Sequence, residues 1–511
     1  MMIAFRTPGS EMQERMDCNY YHPRYVENSL KIGRHPCCVF ASTYKQTAIG
    51  HTASVELHYS QNGIGVPFVS GKAIKAFELQ THGSERITFE SHNGPLADCK
   101  LRPGYLLVVR KGEVGNACVV PESAGELSCA SEVMFFEMNA TDEAYFFATF
   151  FNSQPGRLAI ERLQRGTIIF GVSLLDIPPL RVFWPDHKVR RYLGDKVRQA
   201  ERLRERARTL EADVASIHAQ YAVQPTGIDF AKRIRRLASR SLTERLDAHF
   251  YPSAVEEYFR HFNLATRSLN RLCLLVANGQ SQPESAEGVR QVTVTNLRPS
   301  FVDGLMRTVQ RPTDGSPTLA PHDLLLCNAA HEKSYIGRDV TYSQVDGPFP
   351  STEVMVVRVD RTQVPASFVR HHLKTQIGYL QIQSTIRGIT AHSYPTDMKL
   401  IEIPIPQVPE AQRPAWFATD DKMLDAGRCF DAAKILTTGA KVLVEAIIED
   451  KVTEAELVAA QEALERGDNS ADRALLRRLT RHGLDVPGQS PLFPDLDVLY
   501  ALLAQTQEAN P

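Results

Sequence analysis

The sequence predicts an α+β protein built from two tandem copies of one domain, each followed by a long coiled-coil helix, with a helical extension after the second helix. Three observations carry this: an internal repeat at a nearly constant offset, strand-like and helix-like segments mixed within each copy, and an apolar heptad seam after each copy. The segments are 1–185 (first domain), 186–222 (first long helix), 223–243 (linker), 244–406 (second domain), 407–452 (second long helix) and 453–511 (helical extension).

The repeat opens on a polar and aromatic phrase. "ERMDCNYYHP" from Glu14 reads against "ERLDAHFYP" from Glu244, so that Arg15, Asp17, Tyr21 and Pro23 match Arg245, Asp247, Tyr251 and Pro252 once one residue is dropped. Further matches keep the same order. "GVPFVSGKAI" from Gly65 aligns with "GVRQVTVTNL" from Gly288, "LRPGYLLVVRKGEVG" from Leu101 with "LAPHDLLLCNAAHEKSYIG" from Leu319, and "SEVMFFEM" from Ser131 with "TEVMVVRV" from Thr352. "SQPG" ending at Gly156 then matches "TQIG" ending at Gly378, and both copies continue to an Arg-Gly, at Arg165-Gly166 and Arg387-Gly388. Offsets held between 218 and 230 indicate colinear duplication with loop insertions; chance would scatter them.

Within each copy, the segments around Leu106, Leu324, Val133 and Val354 are short, β-branched or aromatic, and bounded by turn residues, as strands are. "DEAYFFATFFNSQPG" and "PASFVRHHLKTQIG" have the length and spacing of helices stopped by a C-terminal glycine. Each copy closes on a Pro-rich strand, "LLDIPPLRVFWP" or "MKLIEIPIP". After the first copy, Ala200, Leu203, Ala207, Leu210, Val214, Ile217 and Tyr221 alternate gaps of three and four. After the second, Met423, Ala426, Phe430, Ala433, Thr437, Ala440, Val444 and Ile447 do the same. A helix over 186–222 extends about 55 Å at 1.5 Å per residue. In the extension, Thr453 and Glu456 are spaced as a capping box, and Gly483 is expected to stop a helix.

Composition narrows the function classes. The 511 residues are 43% hydrophobic and 23% charged, an ordinary globular balance. The chain has no run of eighteen apolar residues and no signal-peptide pattern at its start, which predicts a cytoplasmic protein with no membrane partner. Nine scattered cysteines without a CxxC pair indicate neither a disulfide framework nor a zinc site, and Cys37 and Cys38 read as small apolar residues. A net charge of −1 argues against indiscriminate nucleic-acid binding and leaves room for a local basic face.

Together the duplicated "ERxD" opening, the "LxPG" and Gly loops, the Arg-Gly with its Pro-rich closure and the helix after each copy resemble the specificity (S) subunit of Type I restriction-modification systems. The resemblance runs from Glu14 to Asp468, and the tail beyond Gly467 exceeds it. It implies that each globular copy is a target recognition domain and that the two helices pair antiparallel and dock methyltransferase subunits. From Lys188 to Arg208 there are nine basic and three acidic residues, and from Glu445 to Asp468 two basic and eight acidic, so opposite charge is expected to favour the pairing and partner choice. An ordinary solvated helical surface is the plain alternative.

The residues point to binding, with no catalytic constellation. Phosphate-cradling and dinucleotide glycine patterns are absent. "DIPPL" at Asp176 lacks the aromatic of a methyltransferase motif, and "HEKSY" at His331 has Tyr335 where a zinc protease has its second histidine. Candidate DNA contacts are Lys72, Arg110, Lys111, Arg165 and Thr167 in the first copy, and Lys333, Tyr335, Arg338, Arg387, Thr390, His392 and Ser393 in the second. Arg110 and Lys111 beside Gly112 read equally as a solvated turn, the Arg-Gly pairs as a helix-capping turn, and Lys72 with Lys75 as a solvated strand edge.

The expected function is a non-catalytic subunit that reads a bipartite, asymmetric double-stranded DNA target. It directs DNA methyltransferase subunits, and through them restriction or translocase subunits, to that target. The chain itself is expected to bind no cofactor, S-adenosylmethionine belonging to the partner methyltransferase. Two rivals are a specificity or scaffold subunit of a related anti-phage defence system and a self-sufficient DNA methyltransferase.

Overall fold

A computed structural model describes residues 15, 17–166, 170–231, 242, 245–313, 315–388 and 390–508. The chain forms two compact units, Met1–Arg204 with Asp431–Pro511, and Glu205–Phe430. The first unit is therefore discontinuous in sequence.

In the first unit, helix α1 (Pro23–Ile32) precedes strands β1 (Cys37–Val39), β2 (Tyr44–Ile49), β3 (Val66–Val69), β4 (Arg86–Ile87), β5 (Lys100–Leu101), β6 (Leu106–Val109), β7 (Ala117–Val119), β8 (Leu127–Cys129) and β9 (Val133–Met138). Helices α2 (Thr141–Asn152) and α3 (Gln154–Glu161), strand β10 (Arg181–Phe183) and the long helix α4 (His187–Ala219) follow, α4 contributing residues 187–204 to this unit. The main sheet is antiparallel in the order β2-β9-β6-β7. A second sheet has the order β4-β3-β8-β5 with β3 and β8 parallel, and β10 returns to pair with β1. Alternation along β9 covers both faces of the main sheet. Val133 and Phe135 join Val69, Leu107, Val109 and Leu127 in a core shared by the two sheets. Phe136 instead meets Phe40, which also stacks edge-on against Phe147 and Phe151 of α2. Each such side chain contributes about 1.5–3 kcal/mol by burial.

The second unit repeats this order. Its elements are α5 (Ser253–His261), β11 (Thr266–Ser268), β12 (Cys273–Asn278), β13 (Glu284–Val292), β14 (Arg307–Val309), β15 (Leu324–Cys327), β16 (Ala329–Ala330), β17 (Val340–Tyr342), β18 (Phe349–Pro350), β19 (Val354–Val359), α6 (Ala366–Leu373), α7 (Gln376–Ser384), β20 (Ala391–His392) and β21 (Glu402–Pro404). The main sheet runs β12-β19-β15-β17, the parallel pair is β13 with β18, and β21 closes on β11. Strands matched in sequence are thus strands matched in topology.

The expected helix-stopping glycines do something else. Gly156 and Gly378 lie in the first turns of α3 and α7, where Ser153 Oγ and Thr375 Oγ1 accept from their N–H groups at 3.5 and 3.1 Å. A Cβ there would lie 1.9 Å from the Phe150 carbonyl oxygen or 2.2 Å from that of His372. The glycine is required by the close approach of two consecutive helices, while the preceding helix ends at the capping Ser153 in the first copy and at Lys374, one residue before the capping Thr375, in the second.

Helix α4 spans 33 residues, about 50 Å at 1.5 Å per residue. Of its seam, Ala200, Leu203, Ala207 and Val214 are buried, whereas Leu210, Ile217 and Tyr221 are half-buried and His218 takes the buried place beside Ile217. The second long helix, α8 (Thr419–Ile448), begins in the second unit. There residues 205–219 and 419–430 run antiparallel: Asp213 meets Lys422 at 3.4 Å, and further along α4, His218 reaches Thr419 through Ser367. In the first unit α8 is buried around most of its circumference, at Ala433, Leu436, Val442, Leu443 and Ile447, as a central core helix is, and not along a single stripe.

The extension supplies α9 (Glu454–Glu465), α10 (Ser470–Arg478), a hairpin and α11 (Leu496–Glu508). Thr453 and Glu456 form the predicted capping box. Gly483 turns the hairpin between Leu479–Thr480 and Gly483–Leu484, the helix having already ended at Arg478. The basic start of α4 pairs with acids of this extension: Lys188 with Glu462, Arg191 with Glu465 at 3.4 Å and Lys196 with Asp472 at 2.6 Å. Complementary charge thus holds the extension onto α4, where the sequence pointed to pairing of the two long helices.

Candidate nucleic-acid interface

The repeated opening phrase is a clamp. Arg15 pairs with Asp17 at 2.8 Å and donates to the carbonyls of Leu163 and Gln164, just past the end of α3. Arg245 pairs with Asp247 at 2.6 Å and donates to the carbonyl of Thr385, just past the end of α7. Tyr21 and Tyr251 return a hydroxyl to the carbonyls of Arg15 and Arg245 at 2.8 and 2.7 Å. Carbonyls at a helix C-terminus lack intrahelical donors, so a guanidinium satisfies them and complements the helix dipole. The phrase recurs because both copies need this anchor.

What the clamp holds is the pair of Arg-Gly segments that follow α3 and α7. Arg165 closes a short hairpin by exchanging backbone hydrogen bonds with Gly171 at 2.8 and 3.0 Å, and Arg387 does the same with His392 at 2.8 and 3.1 Å. Arg165 donates to Asp176 at 2.9 Å, and Arg387 pairs with Asp397. Each carboxylate raises the pKa of its guanidinium, first through the hydrogen bond. Both guanidiniums remain about half exposed at 56% and 45%, with faces open to solvent. Thr167 lies outside the described residues.

In the first unit the predicted residues converge. Lys111 bridges to Gly171, which also bridges to Arg165, and Gly71, next to Lys72, faces the Lys111 carbonyl. The Arg110 guanidinium is committed to the carbonyls of Val172 and Ser131, at 2.8 and 3.1 Å, and holds the hairpin against the sheet. Lys72 is exposed and Lys111 half-exposed.

In the second unit, β16 pairs with β20, bringing the 331–338 loop next to the Arg387 turn. Gln383 donates to the carbonyls of Lys333 and Ile336, which fixes the loop on α7. Tyr335 is 45% exposed and stacks under Arg338 at 4.3 Å. Thr390 is exposed, and His392 Nδ1 donates to its carbonyl at 2.7 Å. Ser393 is buried, 2.6 Å from Thr385, and serves the scaffold. The result is an exposed patch of cations and aromatic faces, which suits phosphate and base contacts.

No protein-family model matches the chain, and no curated protein matches it. Among solved structures it is similar to the Type I restriction-modification S subunit from M. genitalium, at 12% identity and a TM-score of 0.40, over 82% of this chain and 96% of that one. It is similar to the HsdS subunit from Thermoanaerobacter tengcongensis, at 15% identity and a TM-score of 0.24, over 81% and 95% of the two chains. A chain in a structure of type I R-M system assembly and conformational transition matches at 14% identity and a TM-score of 0.27, over 81% and 96%. The chain resembles Type I specificity subunits.

Two aromatic residues escaped the sequence reading. Phe170 is 49% exposed beside Gly171, and Tyr394 is 44% exposed, stacked on His392 and beneath Arg387. An aromatic residue next to a basic turn is the available signal, and in both copies it follows the Arg-Gly within seven positions. Among the described residues, no helix is long and apolar enough to cross a membrane.

Proposed function

We propose that this chain is the DNA-recognition subunit of a Type I-like restriction-modification complex. Each α+β unit reads one half of a bipartite target, and the two long helices set the unread spacer. Methyltransferase subunits carrying S-adenosylmethionine, and through them a restriction or translocase subunit, act where the chain binds. The observation that supports this most is one scaffold, clamp and hairpin written twice, with different chemistry displayed at the same places. The first unit shows Lys72, Lys111, Arg165 and Phe170; the second shows Lys333, Tyr335, Arg338, Arg387 and Tyr394. Different donor and acceptor sets select different bases, so the half-sites differ and the target is non-palindromic.

A domain graft tests the reading. Replacing 244–406 with the corresponding domain of a relative changes one half-site in the methylation map of host DNA and preserves the other. A graft that alters both half-sites, or a palindromic parental motif, contradicts two independent readers.

A further inference from the structure

A groove of about 540 Å³ opens in the first domain beside β3 and the corner between β8 and β9, and His51, Tyr59, Lys72, Gln80 and Glu132 line it. Two of these carry buried polar atoms, His51 Nε2 and Glu132 Oε2, with no hydrogen-bond partner among the described residues. A buried polar group left without a hydrogen bond is costly to a fold. Two beside one groove leave hydrogen-bonding capacity there for a partner from outside the chain.

Both side chains sit on rigid backbone. His51 N donates to the Cys129 carbonyl at 3.0 Å, next to β8, and the Glu132 carbonyl accepts from Arg110 N at 2.8 Å. Gly71 packs against the Glu132 side chain, where an added Cβ would come within 3.1 Å. Placement on strand ends holds a contact more tightly than a loop tip does. Lys72 stands exposed at the rim, near Lys111.

The chemistry of the pair is selective. An ionised carboxylate only accepts hydrogen bonds, and in the major groove the matching donors are the exocyclic amines of cytosine and adenine. An imidazole nitrogen donates or accepts according to tautomer, and so serves a neighbouring edge. We infer that this groove reads a base presenting an exocyclic amine, with Glu132 accepting from it, His51 contacting the adjacent edge and Lys72 on the flanking phosphate; this rests on the DNA-recognition reading above.

The second copy supports a difference between half-sites. Gln280 takes the place of His51, its N–H donating to the Pro350 carbonyl at 3.1 Å, and Glu353 takes that of Glu132. There the Gln280 side chain already accepts from Ser316 at 3.0 Å and its carbonyl from Gln291 at 2.9 Å. The acid is kept and its neighbour is engaged within the fold, so the two copies select differently.

The test maps host-DNA methylation in strains carrying the full-length gene, its deletion, Glu132→Gln or His51→Gln, with thermal melting of each purified chain as the folding control. Glu132→Gln keeps shape while replacing one acceptor by a donor, and His51→Gln installs the residue of the second copy. Expected is a loss of roughly tenfold to hundredfold in discrimination at one position of one half-site, the other half-site being unchanged. A deletion that removes no methylation motif overturns the DNA-recognition reading itself. A deletion that removes a motif whose two half-sites both variants still read at parental fidelity overturns the groove alone. Loss of both half-sites in variants that melt like the parent also counts against the groove.

Discussion

His218 and His372 show how a buried side chain sets the pH range of a fold. Burial, with His371 as a further cationic neighbour, pushes both down to about 3. His218 Nε2 bonds the Ser367 hydroxyl at 3.0 Å, and His372 Nε2 accepts from Gln381 at 3.1 Å, an arrangement that needs an unprotonated nitrogen. Arg370 and Lys374 crowd the same region, and burial followed by Arg370 pushes Lys374 down to about 8. An unfolded histidine titrates near 6.5, so between that value and about 3 the unfolded chain binds protons that the folded one refuses. The stabilisation is complete above 6.5 and is lost as pH falls, by about 1.4 kcal/mol per histidine one pH unit below it. Trp416 packs on Phe368, which His218 also touches, and reports this region. In a Trp184→Phe chain, the urea midpoint of Trp416 fluorescence should fall between pH 7.5 and 5.5. A midpoint that holds steady contradicts the assignment of these histidines as buried and neutral.

Among elements, the C-terminal extension is held to α4 by one ion pair that is buried on both sides, Lys196 with Asp472. Asp472 is buried, yet although burial raises its pKa, Lys196 and the hydroxyls of Tyr192 and Tyr500 hold it below the usual carboxylate range. Lys196 is itself only 2% exposed. Removing one member of a buried pair leaves an uncompensated charge and costs about 3–5 kcal/mol, whereas removing both charges is often close to neutral. Lys196→Met should therefore lower the first unit's urea midpoint, read by Trp184 in a Trp416→Phe chain, and expose α9 and α10 to limited proteolysis. Lys196→Met with Asp472→Asn keeps an acceptor for the two tyrosines and should recover most of the loss. Equal damage in the single and double variants would mean that packing, and not charge, holds the extension.

At the scale of the molecule, the proposal makes the long helices a ruler. Inserting one heptad in both α4 and α8 adds almost two whole turns to each helix, so every face returns to within about 20° of its original direction. The methylation map of the variant should show a longer spacer between unchanged half-sites. An unchanged spacer in a folded, active variant would falsify the ruler. Asp at Leu203, which is fully buried, should disrupt packing far more than Asp at the half-buried Leu210.

By itself the sequence determined the duplication, the strands around Leu106, Val133, Leu324 and Val354, and the two long helices, because alternation and heptad spacing are local properties of the chain. It also marked Arg15 and Arg245, Arg165 and Arg387 as equivalent pairs. Only the tertiary structure decided what those residues do. The opening arginines cap helices more than 130 residues away, the Arg-Gly turns are braced by Asp176 and Asp397, and Gly156 and Gly378 join two helices. The partner of the basic helix start was likewise settled by folding, since the extension brings Glu462, Glu465 and Asp472 to it. Spacing along the chain records which face a side chain is on; which distant carbonyl or carboxylate it meets depends on how the faces pack, and a linear pattern does not carry that.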